Sequence, residues 1–241
     1  MAGNTALTSL GTTRLTISAA GSMAWSIRKQ RCWVRSRRHG WLTELRDSTA
    51  RWNFIAQQTV VSDINGGVGL SLLSKGLYNY DSWDGYWSAR DRLITAIKEG
   101  QVRNPVVLTG DFHCNLAFDL IDAWPDPRDF PSMFDQIAAT KDWEATKVGT
   151  EIATGAISSP TFFEPGGPIP RPDIVGPATL EGTSWARYGE LLNNGYVLHD
   201  ITQDTDEALF RVCQANYKAS TAEGKPSHTA PLSSRRRAGS E

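Results

Sequence analysis

The chain has 241 residues, of which 40% are hydrophobic and 21% are charged, so it can bury a sizeable core and is neither mainly disordered nor collagen-like. It contains no run of about 18 apolar residues, which excludes a membrane-spanning helix. The net charge of −1 hides an uneven distribution, because residues 1–43 carry seven basic side chains and no acidic one. The remainder, which starts with Glu44, is acidic. That composition argues against general nucleic-acid binding, which needs Lys and Arg to replace phosphate counterions.

The basic segment 1–39 permits several interpretations. It is rich in Arg and Ser and free of acidic residues, as transit peptides are, but it lacks the apolar core of a secretory signal. Basic and aromatic residues interleave near Trp25 and Trp33, as in a nucleic-acid-binding arm, although such charge runs are more often solvated tails. We predict that this segment is disordered or is not native coding sequence.

Hydrophobic spacing and turn residues predict the elements up to residue 100. We expect a short helix at about 40–47, a mostly buried strand at 52–61 and a long loop at 62–82. A well-marked helix follows, because Ser82 or Asp84 can accept the free N–H groups of its first turn. Gly100 is a natural end for this helix.

The remaining sequence reads as strands joined by turn-rich loops. We predict strands at 105–109, 116–121 and 148–159, loops at 122–135 and 160–180, a hairpin formed by 195–202 and 207–216, and a disordered tail at 219–241. The continuous apolar run PVVLT at 105–109 suits a strand that is buried on both faces. The mixture of helices and buried strands indicates an α/β layered architecture.

The sharpest chemical feature is the sequence GDFH, which follows the apolar strand at Gly110. Functional residues of α/β sheets gather just beyond the carboxyl ends of strands. In an extended backbone Asp111 and His113 would point the same way, so a carboxylate and an imidazole would form half of a metal site. The alternative is a capped turn with a packed histidine, and the remaining ligands would have to come from elsewhere.

Other polar residues give weaker signals. Cys114 follows His113 directly, but neighbouring residues of a strand face opposite ways, so we expect a buried small residue and no Cys–His dyad. His199 lies in the predicted hairpin and is expected to be a packed or surface histidine. Glu151 precedes the Pro- and Gly-rich loop and receives no assigned role.

Several stretches together follow the pattern of a known family. They are WLTELRDSTARWNFIAQQTVVS, DSWDGYWSARDRLITAI, RNPVVLTGDFHCNLAFDL, EIATGAISSP and NNGYVLHDIT. In this order they resemble the C-terminal part of the PhoD-like (alkaline phosphatase D) metallophosphoesterases, over about residues 40–217. The combination of DSWDGY with a strand ending in GDxH makes the resemblance specific.

The resemblance implies a fold, a set of metals and a group of site residues. It implies part of a calcineurin-like α/β/β/α four-layer sandwich in residues 40–218, with 219–241 as a disordered tail. It implies iron with calcium ions, leaving other divalent metals open, and it implies Asp111 and His113 as metal ligands. The DSWDGY element adds a set of substrate-binding candidates: Trp83, Asp84, Tyr86 and Arg90. The alternative is helix capping by Asp84 and core packing of Trp83 and Tyr86. No catalytic residue is assigned.

The departures from the family pattern shape the predicted function. The family's upstream metal motifs, a GSC-type turn, GDxIYxD and NH[DE], do not occur in this sequence. We therefore expect a truncated metal-dependent hydrolase of phosphomonoesters or phosphodiesters, with the charge break at residues 43 and 44 as the edge of the truncation. The alternative is a non-catalytic remnant or an interaction protein with a basic arm. Members of the family are usually exported, but no signal peptide is recognisable here, and the oligomeric state is not predicted.

Overall fold

A computed structural model describes the chain over the following residues: 35–63, 82–126, 129–130, 133–157, 159–161, 180, 182–213 and 226–235. Its elements follow the chain in this order: α1 (Arg35–Arg46), β1 (Asn53–Ala56), a 3-10 helix (Trp83–Tyr86), α2 (Trp87–Glu99), β2 (Pro105–Thr109), β3 (Asn115–Ile121), α3 (Met133–Lys141), β4 (Lys147–Ala153), β5 (Ala186–Glu190), β6 (Asn194–Ile201), β7 (Thr205–Cys213) and β8 (Pro226–Arg235). Most of the two long loops predicted at 62–82 and 160–180 lies outside the described residues.

Five strands form one mixed sheet in the order β1-β2-β4-β3-β5. β1, β2 and β4 are parallel to one another, whereas β3 is antiparallel to both β4 and β5. The parallel strands therefore end at one edge of the sheet, which we call the carboxyl edge. β3 begins at this edge and β5 ends there, because Asn115 pairs with Glu190.

Helices cover one face of this sheet. Leu45 of α1 and Leu93 and Ile97 of α2 pack in one buried cluster with Ile55 of β1 and Val107 of β2. The apolar residues of α2 recur at spacings of three and four, so they share one face of the helix. Among the described residues, no helix is long and apolar enough to cross a membrane.

A three-stranded antiparallel sheet, in the order β6-β7-β8, covers the opposite face. Ala208 and Phe210 of β7 pack against Val106, Ala117 and Ile152 of the large sheet. Alternate residues of β7 are buried, which is the pattern of a strand with one face on a core. The described chain is thus layered as helices, large sheet and small sheet, in agreement with the predicted α/β class.

The predicted helix after residue 82 is confirmed at both ends. The Ser82 hydroxyl accepts a hydrogen bond from the Asp84 backbone N–H at 3.4 Å and caps the 3-10 turn that leads into α2. Gly100 follows Glu99, and its N–H donates to the Ala96 carbonyl at 3.0 Å. The buried strands β2 and β3 and the hairpin of β6 and β7 are confirmed as well.

Two predicted strands are shorter than the sequence pattern indicates. β1 ends at Ala56, and alternate residues of it are exposed. The chain turns after it, because the Gln57 side chain accepts a hydrogen bond from the Thr59 N–H at 3.1 Å. β4 ends at Ala153, and the Gly155 N–H just after it donates to the side-chain oxygen of Asn115 at 2.9 Å instead of to a backbone carbonyl.

Three elements were not predicted. α3 is a short helix just after a Pro-rich stretch, and β5 is a short strand with few apolar residues. β8 corrects the prediction of a disordered tail at 219–241 for residues 226–235, which pair with β7 over its whole length. The rest of the predicted tail lies outside the described residues. β8 is the last strand of its sheet, a position that tolerates the two prolines in it.

The first helix also differs from the prediction. α1 begins at Arg35, ahead of the expected start near residue 40, and so crosses the charge break before Glu44. The prediction of disorder for 1–39 is therefore wrong for residues 35–39, whereas residues 1–34 lie outside the described chain.

Candidate active site

The GDFH loop lies between β2 and β3 at the carboxyl edge. Two hydrogen bonds fix its start to the neighbouring strand ends. The Gly110 N–H donates to the Gln58 carbonyl at 3.1 Å, and the Thr154 N–H donates to the Thr109 carbonyl at 3.0 Å. The ends of β1, β2 and β4 are therefore held together under the loop, where ligands of open α/β sheets bind.

Asp111 and His113 both have left-handed backbone conformations, with φ values of 59° and 56°. The expectation that an extended backbone aligns them is therefore wrong. Such angles cost of order 1–3 kcal/mol in a non-glycine residue and occur often at functional sites. The buried residues between and after them, Phe112 and Cys114, anchor the loop in the core, so that Asp111 is exposed and His113 half-buried.

One contact fixes the orientation of the His113 ring. Its Nδ1 lies 2.6 Å from the carbonyl oxygen of Pro160. A carbonyl oxygen can only accept, so Nδ1 must carry the proton, and the neutral ring has its lone pair on Nε2. Histidines that bind metals commonly donate their second N–H to a carbonyl or carboxylate in this way.

These two side chains fit a part of a metal site. Carboxylate oxygen and imidazole nitrogen are donors that Fe and other transition metals accept, and carboxylate oxygen also suits Ca²⁺. Within the described ranges no group of three or more His, Cys, Asp or Glu side chains is arranged to hold a metal ion. We call Asp111 and His113 the edge pair.

A second group of charged side chains lies in the interior beside this edge, and we call it the buried ion cluster: Asp84, Arg90 and Glu151. Arg90 Nη1 donates to Asp84 Oδ1 at 2.6 Å and to the Val61 carbonyl at 3.2 Å. Both partners of this ion pair are almost fully buried. The guanidinium carbon also lies 4.6 Å from the centre of the Trp124 ring, which favours a cation.

Glu151 holds the backbone that follows β1. Its two carboxylate oxygens accept hydrogen bonds from the N–H groups of Val61 and Ser62, each at 2.7 Å. Burial raises the pKa of the Glu151 carboxyl. Burial, together with the nearby Asp63 carboxylate, raises the pKa of Asp84 well above its usual range, against the opposing effect of Arg90. The sequence signal for Glu151 would have been an acidic residue at the centre of an apolar strand.

The four predicted substrate-binding residues are held together but lie largely in the interior. Trp83, Asp84 and Arg90 are each no more than 3% exposed, and the Trp83 Nε1–H donates to Gln57 Oε1 at 2.9 Å. Tyr86 is half-buried and packs against the buried cluster between the helices and the large sheet. Burial and mutual pairing favour a structural role for the three interior side chains, and the substrate role of the set stays a prediction. Asp81, the first residue of the DSWDGY element, lies outside the described residues.

Comparison with known proteins decides the family. The model of the PhoD-like phosphatase family matches residues 28–210, well over half of the chain. The chain belongs to the PhoD-like phosphatase family. The match begins ahead of Gly40, where the sequence resemblance was expected to start, so residues 28–39 lie within the family region. The charge break at Glu44 therefore does not mark the start of the PhoD-like pattern.

Two individual proteins are similar to this PhoD-like chain. Alkaline phosphatase D of Bacillus subtilis (strain 168) is 39% identical over 116 residues, which are 48% of this chain and 17% of that protein. A solved structure of PhoD matches with a TM-score of 0.62 and 23% identity, covering 84% of this chain and 33% of that one. The likeness confirms the predicted metallophosphoesterase fold, and the chain spans about a third of the solved PhoD.

Two further residues of this PhoD-like chain lie as the sequence predicts. Cys114 is fully buried, and its Sγ lies 3.8 Å from the Leu191 carbonyl. His199 is a packed histidine in the small sheet, with Nδ1 2.9 Å from Asp206 Oδ1 and its ring edge-on to Phe54. Neither residue belongs to the edge pair.

Proposed function

We propose that this chain supplies part of the active site of a phosphoester hydrolase, with Asp111 and His113 as ligands of a metal ion. Membership of the PhoD-like family supports the reaction class. The observation that carries the ligand assignment is the contact from His113 Nδ1 to the Pro160 carbonyl at 2.6 Å. It places the proton on Nδ1, so the lone pair that a metal ion would accept lies on Nε2 of the neutral ring.

Iron and calcium are the metals that we propose, and other divalent ions are alternatives for the test. A bound cation at such a site neutralises phosphate oxygens and lowers the pKa of a coordinated water. The role of this chain is to hold Asp111 and His113 in fixed directions on a rigid loop. Because Phe112 and Cys114 lock that loop into the core, the two donors need little reordering when a cation binds.

Two ligands are fewer than a metal ion requires. The upstream motifs GSC, GDxIYxD and NH[DE] are absent from these 241 residues. We therefore propose that the chain by itself has weak or no turnover, and that full activity needs a polypeptide that also carries those motifs. Phosphomonoesters and phosphodiesters are the proposed substrates.

Metal binding to the purified chain tests the ligand assignment. We expect Mn²⁺ to broaden the NMR signals of residues 110–114, and we expect the double variant D111N/H113Q to lose this effect. D200N, which removes an exposed carboxylate from the small sheet, is the matched control and should behave as the wild type. Equal broadening in D111N/H113Q would overturn the assignment and would leave the non-catalytic alternative.

Turnover of bis(p-nitrophenyl) phosphate and p-nitrophenyl phosphate tests the reaction. We expect at most slow, metal-dependent hydrolysis by the isolated chain, abolished in D111N/H113Q. Stoichiometric iron together with rapid turnover would contradict the need for the upstream motifs. Hydrolysis that is unchanged in D111N/H113Q would contradict the site itself.

A further inference from the structure

The carbonyl group that orients His113 belongs to the 155–161 segment, which follows β4; residue 158 lies outside the described chain. This segment has no regular secondary structure, so its position depends on individual contacts. Two buried asparagines, Asn115 and Asn194, make contacts that join it to the loops on either side. Each is 1% exposed.

Asn115 joins three chain segments through one amide group. Its Oδ1 accepts from the Gly155 N–H at 2.9 Å, and its Nδ2 donates to the Asn193 carbonyl at 3.2 Å. Because one partner only donates and the other only accepts, the orientation of the amide is fixed. Asn115 therefore ties the start of the 155–161 segment to the turn between β5 and β6.

Asn194 holds the other end of the segment. Its Nδ2 donates to the Ser159 carbonyl at 3.1 Å, directly before Pro160. Its Oδ1 is buried without a hydrogen-bond partner among the described residues. A buried amide oxygen without a hydrogen-bond donor costs stability. Among the described residues, the hydrogen bond to Ser159 is the favourable contact of the Asn194 amide that offsets this cost.

Two more hydrogen bonds join the 155–161 segment to the chain after the end of β5. The Gly195 N–H donates to the Ala156 carbonyl at 3.2 Å, and the Thr161 hydroxyl donates to the Leu192 carbonyl at 3.5 Å. A Cβ at Gly195 would lie 2.6 Å from the Arg211 carbonyl oxygen and 3.1 Å from the Asn115 amide nitrogen. The glycine thus lets β6 approach closely enough for these bonds to form.

We propose that Asn115 and Asn194 are positioning residues for His113. They hold the 155–161 segment so that the Pro160 carbonyl meets Nδ1, which keeps the proton there and leaves the lone pair of the neutral ring on Nε2. Their value for metal binding rests on the proposed function. Their effect on the imidazole tautomer does not, because it is a property of the folded chain alone.

The tautomer can be read directly from the imidazole signals of ¹⁵N-histidine-labelled protein. The spectra are recorded at about pH 8, above the ordinary imidazole pKa of about 6.5, and H113Q assigns the His113 signal. We expect one tautomer in the wild type, with the proton on Nδ1. In N115A and N194A the ratio of Nδ1–H to Nε2–H forms should fall at least about fivefold, the effect of one net hydrogen bond.

Asn53 provides a matched control. It is a buried asparagine whose Nδ2 donates to the Arg103 carbonyl at 2.7 Å, and it starts β1 at the opposite edge of the same sheet. N53A should lower the stability of the fold but leave the His113 tautomer as in the wild type. The His199 signal, with Nδ1 paired to Asp206, reports in every variant whether the small sheet is intact.

G155A perturbs the same contact without removing either asparagine. A Cβ on Gly155 would lie 3.0 Å from the Asn115 amide nitrogen, so the amide must shift. If N115A or N194A fails to fold, the tautomer in G155A decides the question. A single Nδ1–H tautomer in the folded asparagine variants, or in G155A where they do not fold, would overturn the proposal.

A second measurement separates this proposal from the proposed function. Loss of a residue that orients a ligand commonly weakens metal binding by about 10–100-fold, so N115A and N194A should weaken Mn²⁺ binding to that extent. If wild type binds no Mn²⁺ but its tautomer responds to the asparagines, the function fails and the positioning stands. If Mn²⁺ binds and the tautomer does not respond, only the positioning fails.

Discussion

The edge pair and the buried ion cluster use charged side chains in opposite ways within one region of the molecule. Asp84, Arg90 and Glu151 are almost fully buried. Arg90 Nη1 pairs with Asp84 and the Val61 carbonyl, and Glu151 accepts from the N–H groups of Val61 and Ser62. Arg90 Nε is buried without a hydrogen-bond partner among the described residues. The edge pair lies at the carboxyl edge of the large sheet, with Asp111 exposed and His113 half-buried, on a backbone with positive φ at both residues.

The difference separates structure from function on physical grounds. A buried charge must be paired, so the cluster makes its hydrogen bonds inside the protein. These bonds fix the chain after β1. The edge pair carries backbone strain at both residues, which costs stability. Variants of the first group should therefore reduce stability, and a variant of the second can raise it.

The largest expected effect comes from removing Arg90. R90M leaves the Asp84 carboxylate buried without its 2.6 Å partner and should lower the free energy of unfolding by about 3–5 kcal/mol. Urea unfolding monitored by tryptophan fluorescence measures it. The double variant D84N/R90M should recover much of the loss, because no unpaired charge remains. Losses that simply add would show that the pair is not coupled.

Removing Glu151 should have the next largest effect. E151A leaves the N–H groups of Val61 and Ser62 buried without an acceptor and should cost about 2–4 kcal/mol in the same assay. E151Q keeps one acceptor oxygen and should lose about half as much. Equal stability of E151A and wild type would mean that these two N–H groups find water instead.

The pH dependence of stability distinguishes buried from exposed carboxylates by its sign. The pKa of Glu151 is raised from 4.5 by burial, so the folded state binds the proton more tightly than the unfolded state. Its contribution to stability is present below pH 4.5 and is lost as the pH rises through the raised pKa. E151Q should remove the part of the decline that Glu151 causes and keep the part that Asp84 causes, since the pKa of Asp84 is raised as well. An equal decline in E151Q and wild type would show that Glu151 stays ionised throughout.

Replacing Asp111 by glycine should separate stability from binding. D111G relieves the φ of 59° and should raise the free energy of unfolding by roughly 1 kcal/mol while abolishing Mn²⁺ binding. Gln101, with φ of 49°, is the matched control. Q101G should stabilise to a similar extent and leave Mn²⁺ binding intact. A D111G protein that still binds Mn²⁺ would exclude Asp111 as a ligand.

The smallest effect belongs to an exposed ion pair. Lys98 Nζ lies 2.6 Å from Asp122 Oδ2, and its hydrogen bond lowers the pKa of the Asp122 carboxyl. K98A should cost about 0.2–1 kcal/mol, and less at high salt. Because the pKa is lowered, this contribution is lost as the pH falls, opposite to Glu151. A loss that does not change with salt would assign the effect to packing of the Lys98 stem.

Local signals in the sequence predicted the elements that local interactions determine. Ser82 and Gly100 mark a helix because capping involves atoms a few residues apart, and PVVLT marks β2 because its apolar run needs burial on both sides. β5 and β8 carry no such signal. They are strands because β3 and β7 offer them pairing partners, which depends on the assembled fold.

The same distinction applies to the candidate site: its local sequence pattern was predictable, and its long-range contacts were not. The GDFH motif indicated Asp111 and His113, since glycine, carboxylate and imidazole after a buried strand form a local pattern. The left-handed backbone and the Pro160 carbonyl were not predictable, because the contact that orients His113 spans 47 residues of sequence. Asn115 and Asn194 gave no signal on their own, since their partners lie in the 155–161 segment and in the turn between β5 and β6.

The central position of β4 has a consequence for the dynamics of the chain. β4 pairs with β2 on one side and with β3 on the other, so its amide protons should be among the slowest to exchange with solvent, opening only when the whole sheet opens. The 155–161 segment continues directly from this strand. Even when the edge strands of the large sheet fray, the chain that leads to the Pro160 carbonyl starts from the part of that sheet that opens last.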